Sequence, residues 1–155
     1  MRVGLGVDVH PFVEGRRLVL CGVEIPSPRG LAGHSDGDAA LHALMDALLG
    51  AAGLEDIGVL FPPTLQWKDA CSLDLLAIVW RKVQAAGFRL VNADLVLLLE
   101  EPKIAPHREA MCRSLQQAIP NAAFNVKAST TERLGFLGRE EGVAALATVL
   151  LEEDP

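Results

Sequence analysis

The chain has 155 residues, half of them hydrophobic, and its 14 basic and 20 acidic residues give a formal net charge of −6. A chain of this length fits one domain, residues 1–155, and buries about 70% of the surface that it exposes when unfolded. The negative charge argues against general binding of nucleic acids or of acidic membranes. The longest uninterrupted apolar run, Leu95–Leu99, is too short to cross a bilayer.

Composition also bears on location and assembly. The mean hydropathy of +0.29 is high for a soluble monomer, so we expect an oligomer. Cys21, Cys71 and Cys112 are odd in number and far apart, which argues against a disulfide framework and against a thiolate zinc site. Because the first residues resemble neither a signal peptide nor a transit peptide, we expect a cytoplasmic protein.

The first third of the chain predicts a strand, a hairpin and a helix. Residues 2–10 form an apolar segment that predicts a strand, and two short apolar runs predict a hairpin over residues 17–25. Prolines and a glycine predict a loop over residues 26–30. Apolar residues at helical spacing predict a helix over residues 38–52, which Gly53 ends.

The remainder predicts alternating helices and strands after an irregular stretch. In chain order these are a helix over 69–86, a strand over 89–100, a helix over 106–119, a strand over 124–128, a helical turn at 129–132 and a strand over 142–151. The run Leu95–Leu99 has no polar alternation, so we expect both faces of its strand to be buried, one of them against another subunit. The order of elements predicts an α+β fold, with helices packed on one face of a mixed β-sheet and a small extra hairpin.

Two side chains at the end of the first predicted strand are suited to bind a metal ion. Asp8 and His10 are two residues apart, so an extended strand presents them on the same face. His42, on the first predicted helix, is the best candidate for a third ligand. One carboxylate and two imidazoles with an open position suit catalytic zinc, or a neighbouring transition metal, better than calcium or magnesium. Asp38 and Asp46, each four residues from His42, are expected to contact its ring.

Each of these residues also has a purely structural interpretation. Asp8 lies close to Pro11 and is a suitable turn residue at a strand end. His42 is equally compatible with a helix histidine packed on its neighbours. The combination of the three residues, rather than any one of them, favours a metal site.

The segment from Ser129 to Glu132 carries a second candidate. Ser129-x-x-Glu132 matches a capping box, in which both side chains bond to the backbone at a helix start. The same geometry would let exposed N–H groups and the hydroxyls of Ser129, Thr130 and Thr131 hold phosphate oxygens, with Glu132 on a shared magnesium ion. Nearby, residues 100–107 leave a strand end and contain two prolines, which is compatible with a ligand-binding loop or with a plain rigid loop.

Several motifs, in this order along the chain, resemble one known family. They are Gly6-x-Asp8-x-His10, His34-Ser35-Asp36-Gly37-Asp38 with Leu41-His42-Ala43, Asp46-Ala47-x-Leu49-Gly50-Ala51, Asp56-Ile57-Gly58 with Phe61-Pro62, Pro102-Lys103, and Asn125-Val126-Lys127-Ala128 through Thr131-Glu132-x-Leu134-Gly135-Phe136. They span nearly the whole chain. With them the chain resembles the 2-C-methyl-D-erythritol 2,4-cyclodiphosphate synthases of the non-mevalonate isoprenoid pathway.

The resemblance implies a homotrimer with active sites between adjacent subunits. It implies zinc, or another divalent transition metal, on Asp8, His10 and His42, and a magnesium or manganese ion bound by Glu132. The implied activity is that of a phosphorus–oxygen lyase acting on 4-diphosphocytidyl-2-C-methyl-D-erythritol 2-phosphate. The 2-phosphate attacks the β-phosphate of the same molecule, CMP leaves, and a cyclic diphosphate results. The attack needs no protein nucleophile. Because a phosphate monoester has a second pKa of about 6, it is largely ionised near pH 7 and needs little help from a general base.

The resemblance also assigns roles to residues. His34 and Thr130 are the implied catalytic residues, which stabilise charge on the transferring phosphoryl group. The implied substrate contacts are Asp8, His10, His34, Ser35, Asp56, Ile57, Gly58, Leu99, Lys103, Ala105, Ala128, Ser129, Thr130, Thr131, Glu132, Phe136 and Arg139. Among them, Phe136 and Arg139 would lie near a cavity on the threefold axis that can hold an isoprenoid-like diphosphate.

Two residues depart from the family pattern. Ser129 replaces the first threonine of a triplet, which keeps a hydroxyl at that position and should be a mild change. Pro63 stands where many relatives have an aspartate that contacts the methylerythritol hydroxyls. That contact is therefore missing, or Thr64 or Gln66 replaces it.

Two other functions fit the same residues. One is a metal-dependent phosphohydrolase that acts on a nucleotide diphosphate with metal-bound hydroxide. The other is a trimeric binding protein whose axial cavity senses isoprenoid diphosphates and whose metals are structural. The first predicts a linear product, and the second predicts no turnover of a cytidine substrate.

Overall fold

The computed structural model describes residues 1–154, which begin with four strands and continue with three helices before strands and helices alternate. The strands are β1 (Arg2–Glu14), β2 (Leu18–Leu20), β3 (Val23–Ile25), β4 (Arg29–Leu31), β5 (Phe88–Leu98), β6 (Ala123–Ser129) and β7 (Gly142–Glu153). The helices are α1 (Ala39–Ala52), α2 (Ile57–Leu60), α3 (Ser72–Ala85), α4 (Arg108–Ala118) and α5 (Gly135–Gly138), with 3-10 turns at Leu65–Trp67 and Ala105–His107.

Five strands form one mixed sheet in the order β4-β1-β7-β5-β6, and β2 pairs with β3 in a separate hairpin. Neighbours in the sheet are antiparallel except β5 and β6, which are parallel. Helix α1 packs on β1 and β7, α3 packs on α1 and β5, and α4 packs on β6. The predicted α+β fold, with helices covering a mixed sheet and a small extra hairpin, is confirmed.

Helix α1 is buried on nearly every side, because it lies between the sheet and α3. Asp38 begins the helix: its carboxylate accepts the N–H of Leu41 at 3.0 Å, and Gly53 ends the helix in the left-handed region. The same buried carboxylate accepts the N–H groups of Cys21 and Gly22 at 3.0 and 2.7 Å. Asp38 therefore joins the hairpin to the helix start, and burial raises its pKa to about 6.

Two glycines of β1 let α1 lie unusually close to the sheet. A Cβ on Gly4 would lie 1.9 Å from the carbonyl oxygen of Ala47, and a Cβ on Gly6 would lie 1.9 Å from that of Ala43. Only glycine fits under the helix at these two positions. Asp8 and His10 continue the same face of β1, so the close approach brings α1 down beside them.

The structure corrects three of the predicted elements. The predicted loop at residues 26–30 leads into strand β4, which pairs with the end of a longer β1. The irregular stretch after residue 55 contains the single-turn helix α2, whose start Asp56 caps. The helical turn predicted at residues 129–132 is wrong, because Ser129 is the last residue of β6 and the next helix begins only at Gly135.

The second face of the sheet is apolar and open. Along β1 the outward side chains Val3, Leu5, Val7 and Val9 are 70%, 65%, 53% and 48% exposed. In β5, Leu95 and Leu97 are fully buried under the helices, whereas the alternate residues of the same run are only half-buried. From the sequence, we expect both faces of this strand to be buried. Within residues 1–154, only the face that the helices cover is buried. None of the helices in the described part of the chain has both the length and the apolar character of a membrane span.

Candidate active site

The side chains of Asp8, His10 and His42 meet at one point between β1 and α1, and we call them the ligand cluster. Nε2 of His10 lies 2.7 Å from Oδ2 of Asp8, and Nδ1 of His42 lies 3.1 Å from each of those two atoms. Tetrahedral zinc with bonds of about 2.0–2.1 Å sets its ligand atoms about 3.3 Å apart. The donor set and its spacing therefore fit a tetrahedral transition metal with an open fourth position, as the sequence predicts.

The backbone orients His10 for this role. Nδ1 of His10 lies 2.5 Å from the carbonyl oxygen of Ala32, so Nδ1 carries the proton and donates it to that oxygen. In the neutral ring Nε2 is then left without a proton and faces the centre of the cluster. The carbonyl group fixes both the tautomer and the direction of the ring.

Two serine hydroxyls orient His42 from the opposite side. Nε2 of His42 lies 3.1 Å from Oγ of Ser35 and 3.1 Å from Oγ of Ser72. Because Ser72 donates its own proton to Oδ1 of Asp36 at 2.5 Å, its oxygen accepts the Nε2 proton, and Nδ1 is free to bind a metal. Ser72 was missed from the sequence, since nothing local marks a serine thirty residues away as a partner of His42.

The expectation that Asp38 and Asp46 contact the ring of His42 by hydrogen bonds is wrong. The carboxylate of Asp38 is taken by three backbone N–H groups at the start of α1 and in the hairpin. The carboxylate of Asp46 accepts the N–H of Ile57 at 2.9 Å. Asp46 thereby holds the start of α2, and burial raises its pKa.

The charges in the ligand cluster stabilise one another. Burial alone would raise the pKa of Asp8, but hydrogen bonds and charge from His10 and His42 outweigh it and lower this pKa to about 2. For His10, burial would lower the pKa, but the hydrogen bond and the charge of Asp8 raise it. Without a metal ion the cluster is therefore an ionised carboxylate beside a ring that binds a proton readily.

The ligand cluster opens into a cavity of about 220 Å³, the first cavity. It is lined by Asp8, His10, His34, Ser35, His42, Ile57, Gly58, Phe61, Trp67 and Leu75. Its polar side chains are those of the cluster, His34 and Ser35. Its apolar lining includes the rings of Phe61 and Trp67, packed edge to face at 5.0 Å. The ring nitrogen Nε2 of His34 lies 2.7 Å from the carbonyl oxygen of Thr64, so the loop that contains Pro63 holds His34 directly.

The second cavity, of about 180 Å³, lies where the parallel strands β5 and β6 end. Its lining shares no residue with that of the first cavity and consists of Leu99, Glu100, Pro102, Lys103, Ile104, Ala105, Ala128, Ser129 and Thr130. Ligand sites commonly form at the carboxyl ends of parallel strands. Nζ of Lys103 donates to the carbonyl oxygen of Glu100 at 3.1 Å and also pairs with Glu101 at 3.3 Å.

The segment that follows β6 does not form the predicted capping box. Oγ of Ser129 donates to the carbonyl oxygen of Thr130, and the N–H of Glu132 donates to Oγ1 of Thr130 at 3.2 Å. Glu132 and Arg133 both have positive φ, 54° and 63°, so the chain turns here without a helix. The exposed carboxylate of Glu132 and the hydroxyl of Thr130 lie 3.5 Å apart and offer hard oxygen ligands of the kind that magnesium prefers.

Phe136 and Arg139 lie at the short helix α5, away from the lining of both cavities. Phe136 is 46% exposed. The guanidinium of Arg139 donates two hydrogen bonds to the carboxylate of Glu141, at 3.1 and 2.9 Å. An anion that binds to Arg139 must therefore compete with Glu141.

Comparisons with known proteins agree over nearly the whole length. Residues 1–152 match the model of the YgbB family. The chain is 54% identical over 155 residues to the 2-C-methyl-D-erythritol 2,4-cyclodiphosphate synthase of Chlorobium luteolum, and the match covers 98% of this chain and 99% of the relative. It is 56% identical over 154 residues to the enzyme of the same name from Moorella thermoacetica, covering 97% of this chain and 94% of the relative.

Solved structures agree with the sequence relatives. A structure of 2C-methyl-D-erythritol-2,4-cyclodiphosphate synthase in its CDP-bound form superimposes with a TM-score of 0.88 at 45% identity, covering 97% of this chain and all of that one. The bifunctional IspDF of Campylobacter jejuni superimposes with a TM-score of 0.94 at 45% identity; the match covers 98% of this chain and 42% of that longer chain. By sequence and by fold, this chain belongs to the YgbB family, with 2-C-methyl-D-erythritol 2,4-cyclodiphosphate synthases as its relatives.

Proposed function

We propose that the chain converts 4-diphosphocytidyl-2-C-methyl-D-erythritol 2-phosphate into 2-C-methyl-D-erythritol 2,4-cyclodiphosphate and CMP, as a phosphorus–oxygen lyase. The observation that carries the proposal is the convergence of Asp8, His10 and His42 in the lining of the first cavity, within a chain of this family. The names of its relatives specify the product, and a solved relative binds CDP.

The reaction closes a ring without water. An oxygen of the 2-phosphate forms a bond to the β-phosphorus, and the bond from that phosphorus to the oxygen bridging to the α-phosphorus breaks. The bridging oxygen leaves with its electron pair as part of CMP. Two anionic groups must be held in line while charge spreads over the transferring phosphoryl group, so the protein contributes positioning and fixed positive or dipolar groups.

We propose that residues of the first cavity hold the attacking end of the substrate. Asp8, His10 and His42 would hold zinc, and Glu132 would hold magnesium or manganese; bound, these ions neutralise phosphate charge. His34 and Ser35 would orient the 2-phosphate. Residues 56–58 would contact the methylerythritol hydroxyls. Asp46 supports this segment, because its carboxylate accepts the N–H of Ile57.

The second cavity would hold the leaving end. We propose that Leu99, Lys103, Ala105, Ala128 and Ser129 contact the cytidine, while Thr130, Thr131 and Glu132 hold the diphosphate, with Thr130 stabilising the developing charge. All of these residues up to Thr130 share one lining, apart from the first cavity, and Thr131 and Glu132 follow Thr130 directly in the chain, which supports this division. The basis for an axial site at Phe136 and Arg139 is the family resemblance.

We also propose that three copies assemble, each active site combining the first cavity of one subunit with the second cavity of its neighbour. The apolar outward face of β1 supports an assembly, since Val3, Leu5, Val7 and Val9 are exposed in the isolated chain. The disjoint linings of the two cavities support sites shared between subunits.

A phosphorus NMR time course tests the activity, with the cytidine substrate, zinc-loaded protein and added magnesium. We expect one CMP per cyclic diphosphate and no incorporation of oxygen from labelled water. A linear diphosphate with incorporated label would show a hydrolase instead. An unchanged substrate would leave a binding protein as the function.

A further inference from the structure

Glu100 is a charged residue buried at the end of β5. It is only 6% exposed, and the preceding residue, Leu99, is apolar and buried as well. A carboxylate removed from water needs hydrogen bonds in compensation.

The hydrogen-bond partners of Glu100 lie on both sides of Glu132, and Oε2 of Glu100 also pairs with Nε of Arg133 at 3.7 Å. Oε1 of Glu100 accepts the N–H of Thr131 at 3.2 Å and the N–H of Arg133 at 3.1 Å, and it lies 3.3 Å from the hydroxyl of Thr131. Burial would raise the pKa of Glu100, but the N–H groups of Arg133 and Thr131 outweigh it and lower this pKa, so the side chain is ionised near neutral pH.

The segment that Glu100 holds has an unfavourable backbone. Glu132 and Arg133 are consecutive residues with side chains, and both have φ in the left-handed region, at 54° and 63°. Residues other than glycine adopt this region only where surrounding contacts require it. The carboxylate of Glu100 supplies such contacts on either side of Glu132, and it does so from inside the protein.

The position of Glu100 also connects the two walls of the second cavity. β5 and β6 are parallel, with Leu98 opposite Ser129, so Glu100 and Thr131 leave the sheet side by side. The carbonyl oxygen of Glu100 accepts a hydrogen bond from Nζ of Lys103. One residue is thus bonded through its side chain to the segment of Glu132 and through its backbone to the wall that contains Lys103.

We propose that Glu100 is a positioning residue for the diphosphate end of the site: its buried carboxylate fixes the backbone on both sides of Glu132 and so fixes where Thr130 and Glu132 present their oxygens. The inference rests on the proposed function and deepens it. Glu100 itself need not contact the substrate.

Three variants at one position separate the roles of acceptor, charge and length. Glu100→Gln keeps one acceptor oxygen for the two N–H groups but removes the charge. Glu100→Asp keeps the charge on a side chain one methylene shorter, and Glu100→Leu removes the acceptor. The matched control is Glu152→Gln, a partly buried carboxylate paired with Arg89 at the opposite end of β5.

Two readouts are independent of turnover. Amide hydrogen exchange of residues 131–133 reports whether the segment is held, and manganese titration in the presence of CDP reports whether its oxygens are in place. We expect Glu100→Leu to exchange these amides at least about tenfold faster and to bind manganese correspondingly less tightly, because the N–H groups lose their acceptor. Its zinc content should match that of the wild type, since the ligand cluster is elsewhere.

The third readout is CMP release by the assembled, zinc-loaded protein. We expect Glu100→Leu to lower kcat by at least about tenfold, because a displacement of about 1 Å in a site of this kind is costly. Glu100→Gln should recover kcat to within about threefold of the wild type, and Glu100→Asp should fall between them, as the hydrogen-bond geometry predicts. Glu152→Gln should match the wild type in all three measurements.

Failure of the inference is distinct from failure of the proposed function. If the wild type releases CMP and a folded Glu100→Leu variant keeps its kcat and manganese dependence within about twofold, Glu100 does not position the site. If Glu100→Leu does not fold, equal kcat and exchange rates for Glu100→Asp and the wild type overturn the inference instead. If the wild type releases no CMP, the proposed function is wrong, and unchanged exchange and manganese binding in the variants then overturn the inference separately.

Discussion

The hydroxyl of Ser72 lies between Asp36 and His42, donating to Oδ1 of Asp36 at 2.5 Å and lying 3.1 Å from Nε2 of His42. The N–H of Ser72 donates to the other oxygen of Asp36 at 2.9 Å. Asp36 thus fixes both the start of α3 and the direction in which Ser72 presents its oxygen. Asp36, Ser72 and His42 thus form a hydrogen-bonded series. The other ring nitrogen of His42, Nδ1, faces Asp8 and His10.

Replacing Ser72 tests whether this chain of hydrogen bonds tunes metal affinity. We expect Ser72→Ala to weaken zinc binding by about tenfold, because partners of metal-bound histidines typically contribute between tenfold and a hundredfold. Ser35 remains beside Nε2, so zinc binding should not be abolished. Competition with a zinc chelator measures the effect. Ser114→Ala, on α4, is the control, and zinc affinity equal to that of the wild type in Ser72→Ala would refute the role.

Zinc affinity should fall as the solution becomes more acidic. The pKa of His10 is raised above 6.5 by Asp8, and Nε2 must lose its proton before it can bind a metal. Below that raised pKa we therefore expect affinity to drop by about tenfold per pH unit, with one proton released per zinc ion. Asp8, whose pKa is about 2, remains ionised throughout and adds no dependence.

In the metal-free protein, His10 should stabilise the fold more at acidic pH than at alkaline pH. A raised pKa in the folded chain means that the contribution of His10 to stability is full below pH 6.5 and is lost as the pH rises through the raised value.

Calorimetric titration in two buffers of different ionisation enthalpy counts the protons released on zinc binding. A zinc affinity that stays constant between about pH 6 and 8 would contradict a protonated His10.

Enlarging Gly6 should both destabilise the fold and disturb the metal site. In Gly6→Ala the added Cβ meets the backbone of Ala43, which cannot move without shifting α1. We expect a loss of about 2–3 kcal/mol in the free energy of unfolding, at the upper end for overpacking, together with weaker zinc binding. Denaturant unfolding of the metal-free protein measures the first effect.

Gly50 supplies the matched control for Gly6. It lies within α1, and a Cβ there meets nothing within 4 Å. Gly50→Ala should therefore stabilise the protein by up to about 1 kcal/mol, through the higher helix propensity of alanine. If Gly6→Ala and Gly50→Ala behave alike, the close contact between α1 and β1 does not limit stability.

A charge on the outward face of β1 should prevent assembly. Leu5 is 65% exposed in the isolated chain, and we expect Leu5→Glu to run as a monomer in size-exclusion chromatography with light scattering. Ala77→Glu adds the same charge on the exposed face of α3 and should leave the assembly intact. A wild-type monomer, or a Leu5→Glu variant of wild-type mass, would contradict the proposed interface.

The ligand cluster was predictable because its spacing is governed by local periodicity. Asp8 and His10 share a face of a strand by their separation of two, and His42 follows from the helix that begins after Asp38. The helix itself was clear from its apolar spacing, its N-cap and Gly53. Local sequence was sufficient wherever the relevant partners lie within one or two elements.

Ser72 and Glu100 were missed because their partners are distant in the chain. Ser72 is thirty residues from His42, and Glu100 is more than thirty from Arg133. The signal available for Glu100 was a carboxylate directly after an apolar strand, which indicates a buried charge with a partner but does not identify that partner. The capping box at Ser129 was wrong because the N–H of Glu132, which Ser129 would accept there, donates to Oγ1 of Thr130 instead. Glu100 accepts the N–H groups on either side of it, those of Thr131 and Arg133.

The glycines of β1 have a consequence for how the strand finds its alignment. β1 pairs with β7 from Arg2 opposite Leu151 to Pro11 opposite Gly142. A slip of one residue would turn Asp8 and His10 outward and place branched side chains beneath α1, where even a single Cβ does not fit. A chain with β1 out of register could therefore not pack α1 against the sheet. Gly4 and Gly6, which make room for the metal site, thus also select the correct strand register during folding.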